Sequence, residues 1–291
     1  MDNMRGIMLM VAAMAAFALE DMFVKKVAVT LPIGQILTLL GLGGGTIFTL
    51  MALRRGQRLW SRALLSRPVL LRNSGEIVGT LCYVTAIALT PLASASAILQ
   101  ATPLAVTLGA ALFMGAQVGW RRWTAISVGF LGVLIVVRPG LDGFEPASIF
   151  AVIAVFGLAL RDLATRATPR NVGSLQLSAY GFFMLVPVGL VMMALGQGPV
   201  AIDRGDAISL FGALVMGVAG YYAIVEGMRV GDVAVVTPFR YTRLIFALVI
   251  AMAAFGERPD TMTLIGAAVI IASGLYTLWR ERALSLRRAG R

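Results

Sequence analysis

Two arginines, Arg240 and Arg243, lie inside a run, residues 232–256, that is long and apolar enough to cross a membrane as a helix. A charge near the centre of a bilayer costs on the order of 3 kcal/mol, so such a residue is usually functional or paired. The two side chains are three residues apart and therefore share a helix face. Pro238 lacks a backbone N–H and predicts a bend just before them. The pattern indicates either a solute-binding site inside the membrane or a buried ion pair beside a packing kink.

Polar side chains recur at helical spacing in other apolar stretches. Gln100 precedes Pro103, and Tyr222 precedes Glu226 by about one turn. Buried polar groups need partners, which in a bundle are other helices or a solute. We assign the arginines to a carboxylate, Glu226 to an ammonium group and the aromatic rings to an apolar side chain, although each tyrosine could equally be a packed ring. The candidate solute-binding residues are Tyr83, Gln100, Pro103, Arg161, Tyr222, Glu226, Phe239, Arg240 and Arg243.

Two pairs of adjacent charged residues leave alternatives open. Asp162 either pairs with a cation across the bundle, such as Lys25 or Lys26, or stands beside an Arg161 that lines the pathway. Arg161 and Asp162 point about 100° apart on a helix and cannot both face one partner. In the first apolar stretch, the adjacent carboxylates of residues 20 and 21 are candidates for a proton carrier. These candidates for proton coupling are Glu20 and Asp21.

The composition places the chain in a membrane. Of its 291 residues, 59% are hydrophobic and 13% are charged, about half the charged fraction of a soluble domain, and the mean hydropathy is +0.87. The apolar runs are continuous rather than alternating, so the spans are helices. The single cysteine, Cys82, excludes an intrachain disulfide, and histidine, the commonest metal ligand, is absent, so we expect no metal site. The net charge of +11 resides mostly in short loops, which argues against nucleic acid as a partner.

The hydropathy pattern predicts an all-α integral membrane protein with ten transmembrane helices. Prolines interrupt the fourth and ninth spans, and we expect Pro103 and Pro238 to act as hinges or gates. The predicted spans are 6–28, 34–53, 73–90, 94–115, 121–138, 147–168, 172–195, 206–228, 232–255 and 261–280.

Basic residues predict the orientation of these spans. With a cytoplasmic N-terminus, 17 of the lysines and arginines lie in cytoplasmic segments and 5 in external segments. The cytoplasmic set is Arg5, Arg54, Arg55, Arg58, Arg62, Arg67, Arg72, Arg121, Arg122, Arg166, Arg170, Arg229, Arg280, Arg282, Arg287, Arg288 and Arg291; the external set is Lys25, Lys26, Arg138, Arg204 and Arg258. This bias predicts a multi-pass protein of a bacterial inner membrane with both termini in the cytoplasm.

The chain also reads as two copies of one unit, offset by about 140 residues. Tyr83 then falls on Tyr222, and Gln100 falls within one residue of Arg240. Five spans per copy is an odd number, so the second copy would insert in the opposite orientation. The predicted units are a first repeat, 1–138, a second repeat, 139–280, and a basic cytoplasmic tail, 281–291.

These features resemble a known family. ALTPLASASAILQATPLAVTLGAALFMG at 88–115, followed by ISVGFLGVLIV at 126–136, resembles the EamA-type unit of the drug/metabolite transporter superfamily, and 227–275 repeats it. Gly256 and Glu257, with Gly266 after them, are similar to the end of that unit, whereas Ala116 stands where the first unit usually has glutamate. An acid at that position is therefore not expected to be essential. The resemblance, which extends to bacterial aromatic amino-acid exporters, implies a ten-helix carrier of small organic metabolites that works without a cofactor.

Three classes of function compete. The first is a secondary transporter that exports small metabolites, above all amino acids, by alternating access around a central cavity, or alternatively imports a nucleobase, a vitamin or another planar metabolite. The second is a channel, which would require a continuous polar lining. The third is an integral-membrane enzyme, for which the chain offers no cluster of nucleophile, base and metal ligands. We therefore expect a transporter, not an enzyme, that contacts only its solute and the bilayer and acts as a monomer.

Overall fold

The computed structural model describes residues 2–57, 62–115, 119–141, 143–169 and 172–289, and every regular element within those ranges is helical. Ala116 lies outside them, as do Arg58, Arg170 and Arg291 of the charge count. The helices are α1 (Asn3–Val27), α2 (Ile33–Arg54), α3 (Arg67–Leu89), α4 (Leu92–Leu99), α5 (Thr102–Phe113), α6 (Trp120–Val137), α7 (Ser148–Arg166), α8 (Ser174–Leu195), α9 (Arg204–Val230), α10 (Val233–Val236), α11 (Thr242–Phe255) and α12 (Thr261–Ala289). Two 3₁₀ segments, Arg62–Leu65 and Thr237–Tyr241, complete the set.

The prediction of an all-helical membrane protein is confirmed. Nine helical segments within the described residues are long and apolar enough to cross a bilayer, with α4 and α5 counting together as one. The remaining long helix, α3, falls outside this group and carries Arg72, Asn73 and Glu76 in its first half. Within the described ranges, these nine segments and α3 therefore give ten long helical segments at the ten predicted positions.

The largest boundary errors fall where charged residues begin or end a helix. The third span was predicted to start at 73, but α3 begins at Arg67. Arg72, counted as a loop residue in the sequence, is only 6% exposed and pairs with Glu76 one turn later at 3.3 Å. Because Arg72 and Glu76 compensate each other's charge at i,i+4 spacing, the turn that contains them can be part of the helix. At the other end of the chain, α12 continues into the predicted tail as far as Ala289.

The two spans that were predicted to bend, the fourth and the ninth, are both interrupted. Between α4 and α5, Gln100 and Ala101 form a turn just before Pro103. Pro103 cannot donate to the carbonyl of Leu99, and the hydroxyl of Thr102 donates to that carbonyl instead, at 2.7 Å. In the ninth span, Pro238 lies in the 3₁₀ segment that separates α10 from α11. The predicted bends at both prolines therefore coincide with breaks in the helices, and their role as gates stays a prediction.

Glycines allow four pairs of helices to pack closely along their lengths: α1 with α9, α2 with α8, α3 with α7, and α6 with α12. At the α3–α7 crossing, a Cβ atom added to Gly157 would stand 2.6 Å from the backbone nitrogen of Gly79, closer than real Cβ contacts. At the α2–α8 crossing, a Cβ on Gly34 would stand 2.7 Å from the carbonyl oxygen of Gly189. Small residues at such crossings let the two helix backbones approach each other. The resulting close packing stabilises the helix pair, since lipid provides no hydrophobic driving force between helices.

Candidate functional site

The first polar cluster, here the Asp21 cluster, consists of Asp21 on α1, Tyr83 on α3, Ser96 on α4 and Arg243 on α11. Nη2 of Arg243 donates to both carboxylate oxygens of Asp21, at 2.7 and 2.9 Å. The hydroxyl of Tyr83 donates to the same carboxylate at 3.0 Å and lies 3.4 Å from the hydroxyl of Ser96. Asp21 is 4% exposed, so its charge is compensated within the protein. This cluster joins four helices.

Arg243 also contacts two aromatic rings. Its guanidinium carbon lies 5.3 Å from the centre of the Phe17 ring and 5.5 Å from that of the Tyr83 ring. Cation–π contacts of this kind add to the ion pair in a desolvated environment. Arg243 therefore donates to Asp21 from Nε and Nη2 and lies against two rings.

The second cluster, here the Glu76 cluster, joins α3 to α7. Arg161 donates from Nε to the carboxylate of Asp162 at 2.9 Å, and its Nη1 lies 3.4 Å from Glu76. Glu76 also pairs with Arg72 at 3.3 Å and accepts from the hydroxyl of Thr80 at 3.1 Å. Alternating charges along this chain of side chains compensate one another. Arg161 therefore belongs to a network that crosses between helices.

Of the two alternatives for Asp162, the pairing with Lys25 or Lys26 is wrong. The sequence suggested Lys25 or Lys26, but Asp162 binds its own neighbour, Arg161. A long guanidinium side chain can fold back onto the preceding or following residue, which the 100° separation of Cβ directions does not forbid. Lys25 instead pairs with Glu257 at 3.3 Å.

Arg240 differs from the other arginines buried in the bundle. It lies in the 3₁₀ segment between α10 and α11, where its backbone carbonyl is 3.5 Å from the side-chain nitrogen of Gln100. Its guanidinium has no hydrogen bond or ion pair with any described residue. Asp162 is close enough to act on it electrostatically but lies beyond ion-pair distance. Arg240 therefore presents a cation whose charge no contacting carboxylate neutralises.

Glu226 forms no ion pair with Arg240 in this structure. Glu226 pairs with Arg229 at 3.6 Å, and the Arg229 side chain is 66% exposed. Tyr222, on the same helix, is 47% exposed. Neither Tyr222 nor Glu226 belongs to the Asp21 cluster or to the Glu76 cluster.

The two remaining candidates on the interrupted spans have different surroundings. Phe239 packs against an apolar cluster that includes Met10, Met14 and Val236. Pro103 stands at the start of α5, next to the turn that contains Gln100. Gln100 and Arg240 are thus brought together, whereas Phe239 faces α1.

The two acidic neighbours on α1 have different partners. Asp21 is held by Arg243 and Tyr83, as described above. Glu20 is half-buried and makes no hydrogen bond or ion pair with the part of the chain that the structure describes. Its carboxylate lies against α9, where a Cβ on Gly217 would stand 2.7 Å from Oε1. Within the described ranges, no three acidic or cysteine side chains come together as metal ligands would.

Sequence reasoning did not identify the contacts of Lys25 and Glu257. The carboxylate of Glu257 accepts from the backbone N–H groups of Leu92 and Ala93, at 2.9 and 3.2 Å. In the sequence the Gly-Glu pair at 256–257 resembled the end of the EamA-type unit, but only the tertiary contacts reveal what the acid binds.

The model of the EamA-like transporter family matches the chain twice, at residues 4–138 and 146–279. The chain belongs to the EamA-like transporter family. The resemblance stated from the sequence is therefore confirmed. This EamA-like protein is a multi-pass membrane transporter of small solutes and not an enzyme.

Relatives of this EamA-like transporter move different solutes in both directions. A riboflavin transporter of Vibrio cholerae is 28% identical over 215 residues, covering 73% of this chain and 72% of the relative. An S-adenosylmethionine uptake transporter of Rickettsia bellii is 24% identical over 225 residues, covering 75% of each. The pseudopaline exporter CntI of Pseudomonas aeruginosa is 26% identical over 281 residues, covering 92% of this chain and 94% of the relative.

A solved crystal structure shares the fold. It matches 96% of this EamA-like chain and 98% of its own, with a TM-score of 0.62 and 18% identity. At 18% sequence identity, the match is evidence for a shared architecture alone. The agreement covers nearly the full length of both chains, so the whole bundle is shared.

Proposed function

We propose that this protein is a secondary transporter that binds the anionic group of a small metabolite, above all an amino acid, at Arg240. The observation that carries the proposal is the difference between Arg240 and its neighbours. Within the described residues, Arg72, Arg161 and Arg243 each contact a carboxylate, whereas the guanidinium of Arg240 contacts none. An uncompensated cation inside a membrane is costly unless a solute or water compensates it.

The chemistry of Arg240 fits a carboxylate. A guanidinium offers donors in a planar fork that matches both oxygens of a carboxylate at once. Gln100 stands at the same junction and supplies an amide. In this proposal Tyr83 and Phe239 face the apolar part of the solute. Arg161 and Arg243 supply the positive charge around it. Tyr222 and Glu226 line the entrance from the α9 side.

We assign the coupling proton to Glu20 rather than Asp21. Asp21 already accepts four hydrogen bonds from Arg243 and Tyr83, and adding a proton to the carboxylate would weaken them. Glu20 has no such contacts, and a carboxylate without partners inside a membrane is a candidate for reversible protonation. In this scheme Asp21 fixes α1 to α11, and Glu20 carries the proton.

A second candidate function is import of a planar metabolite. The relatives named as a riboflavin transporter and as an S-adenosylmethionine uptake transporter support it, whereas the pseudopaline exporter CntI supports the opposite direction. Both classes of solute present an anionic or polar group beside an extended ring or chain. Import and export are therefore equally supported, and the net direction of transport depends on the solute gradient and on coupling to an ion.

We further propose that the two matched regions form inverted repeats, 1–138 and 139–280. The packing of α1 on α9 and of α3 on α7 supports this, because a two-fold axis in the membrane plane would exchange these two pairs. The pairings of α2 with α8 and of α6 with α12 would each map onto themselves. Pro103 and Pro238 would then be equivalent gates beside the solute.

The test is counterflow in proteoliposomes, which distinguishes carrier from channel. Vesicles loaded with unlabelled glutamate, tyrosine, riboflavin or S-adenosylmethionine receive a trace of the labelled solute outside. We expect transient accumulation above equilibrium for at least one carboxylate solute. Equilibration without overshoot for a solute that permeates would contradict the carrier, and accumulation of only non-carboxylate solutes would contradict the role of Arg240.

A further inference from the structure

Glu257 caps the short helix α4 from the other half of the chain. Its Oε1 accepts from the backbone N–H of Leu92 at 2.9 Å, and its Oε2 accepts from that of Ala93 at 3.2 Å. Leu92 and Ala93 open α4, so the carboxylate lies at the positive end of the helix dipole. A contact between residues about 165 positions apart holds the first turn of this helix.

Lys25 completes the same group of contacts. Its Nζ lies 3.3 Å from Oε1 of Glu257 and donates to the carbonyl oxygens of Ile87 and Thr90, at 3.2 and 2.6 Å. It also lies 5.5 Å from the centre of the Phe255 ring. The ends of α1 and α3, the start of α4 and the turn after α11 therefore meet at this ammonium–carboxylate pair. Both charged side chains are only 15% exposed, unlike the partners of an ordinary surface pair.

The backbone fixes Glu257 in place. Gly256 adopts a left-handed conformation, with φ of 63°, that ends α11 and favours glycine. The N–H of Glu257 then donates back to the carbonyl of Ala251 at 3.0 Å. The carboxylate is thus presented to α4 by a rigid helix terminus.

We propose that Lys25 and Glu257, with the N-terminus of α4, form a lock that must open when the transporter exposes its centre at this end of the bundle. The break at Gln100–Ala101 separates α4 from α5, so α4 can move as a unit. Its far end carries Gln100, which contacts the backbone of Arg240. Lys25 and Glu257 act as positioning residues, because they hold α4 rather than contact the solute.

The test measures access to α4 without any solute, so its outcome is independent of the proposed site at Arg240. In a Cys82→Ser background, Ala95→Cys places a thiol on α4, where the native side chain is 1% exposed. A membrane-impermeant maleimide is added to right-side-out and inside-out vesicles separately. Which compartment faces the lock rests on the proposed topology, and the two vesicle orientations determine it directly.

Neutralising either lock residue should increase labelling. We expect Glu257→Gln and Lys25→Gln each to raise the labelling rate about tenfold from one side only, since hydrogen bonds to charged groups contribute substantially more than neutral ones. Lys25→Arg keeps the charge and should stay within about twofold of the parent. Glu145→Gln is the matched control, because Glu145 is an exposed acid before α7 whose side chain forms no hydrogen bond or ion pair with the described residues.

Every result distinguishes a lock, which opens during transport, from a strut, by which we mean a contact that only stabilises the fold. A strut predicts lower yield or melting temperature with an unchanged labelling rate in the folded fraction, and that result would overturn the proposal. Equal increases from both sides would also overturn it, because they would indicate general loosening. If Glu257→Gln does not give monodisperse protein, Lys25→Gln decides the outcome by the same criteria.

Discussion

The side-chain nitrogen of Gln100 lies 3.5 Å from the backbone carbonyl oxygen of Arg240, so the two interrupted spans of the transporter meet at their breaks. Gln100 belongs to the turn between α4 and α5, and Arg240 to the 3₁₀ segment between α10 and α11. Backbone that leaves the helical ladder is tolerated in a membrane only where protein or a water-filled cavity satisfies it. Here the side-chain amide of Gln100, in the first break, approaches the backbone carbonyl of Arg240, in the second. Two stretches of non-helical backbone therefore lie beside the Arg240 guanidinium, which has no ion-pair partner among the described residues.

Arg240→Lys should weaken transport of carboxylate solutes while leaving the amount of folded protein unchanged. Lysine keeps the charge but loses the planar fork that binds two oxygens, so we expect KM to rise about tenfold or more. Counterflow at a series of solute concentrations measures this. Arg204→Lys, at an exposed position that begins α9, is the control and should behave as the parent. Full transport by the double variant Arg240→Met with Glu226→Leu would rule out the assignment.

Glu20→Gln should separate coupling from exchange. The neutral amide cannot release a proton, so accumulation driven by a pH gradient should disappear while counterflow between equal solute pools continues. Glu145→Gln serves as the control for loss of one carboxylate, because Glu145 is exposed outside the helices. If Glu20→Gln retains full pH-driven accumulation, the proton is carried elsewhere or not at all.

Removing one partner of the Asp21–Arg243 pair should destabilise the fold. The Asp21 and Arg243 side chains are 5% and 18% exposed, and leaving one of them unpaired costs about 3–5 kcal/mol in buried pairs. We expect Asp21→Asn and Arg243→Gln each to lower the melting temperature of the detergent-solubilised protein. The double change Asp21→Leu with Arg243→Met should recover much of the loss. Equal melting temperatures for the parent and both single variants would argue against a buried strut.

Gly157→Ala should disrupt the crossing of α3 and α7. The added Cβ would meet the backbone nitrogen of Gly79 at 2.6 Å, and overpacking of this kind costs about 1–3 kcal/mol. Gly198→Ala is the matched control, since a Cβ there meets nothing within 4 Å. Thermal unfolding of the two variants should show a clear loss for the first and almost none for the second. A stable Gly157→Ala protein would mean that α3 and α7 separate without penalty.

Both termini should face the cytoplasm. The distribution of basic residues, 17 against 5, predicts this orientation for an even number of spans. A fluorescent protein fused after residue 291 should fold and fluoresce in cells, and alkaline phosphatase fused at the same point should be inactive. The opposite pattern of the two reporters would reverse the topology.

The sequence alone determined the class of fold and the positions of the helices. Long apolar runs must form helices in lipid, because each backbone polar group needs a partner within its own segment. Pro103 and Pro238 likewise indicated two breaks, since proline removes a backbone donor. Pro187, in contrast, lies inside the continuous helix α8. These are local constraints that act within a few residues of chain.

Tertiary structure alone decided which charges meet. Asp162 pairs with its neighbour Arg161 rather than with Lys25 or Lys26, and Lys25 reaches Glu257 in the other half of the chain. In the sequence every intramembrane arginine had the same standing as a candidate. Packing gave Arg243 a carboxylate and left Arg240 without one. Partner choice depends on distances between helices that are far apart in sequence, and hydropathy carries no information about those distances.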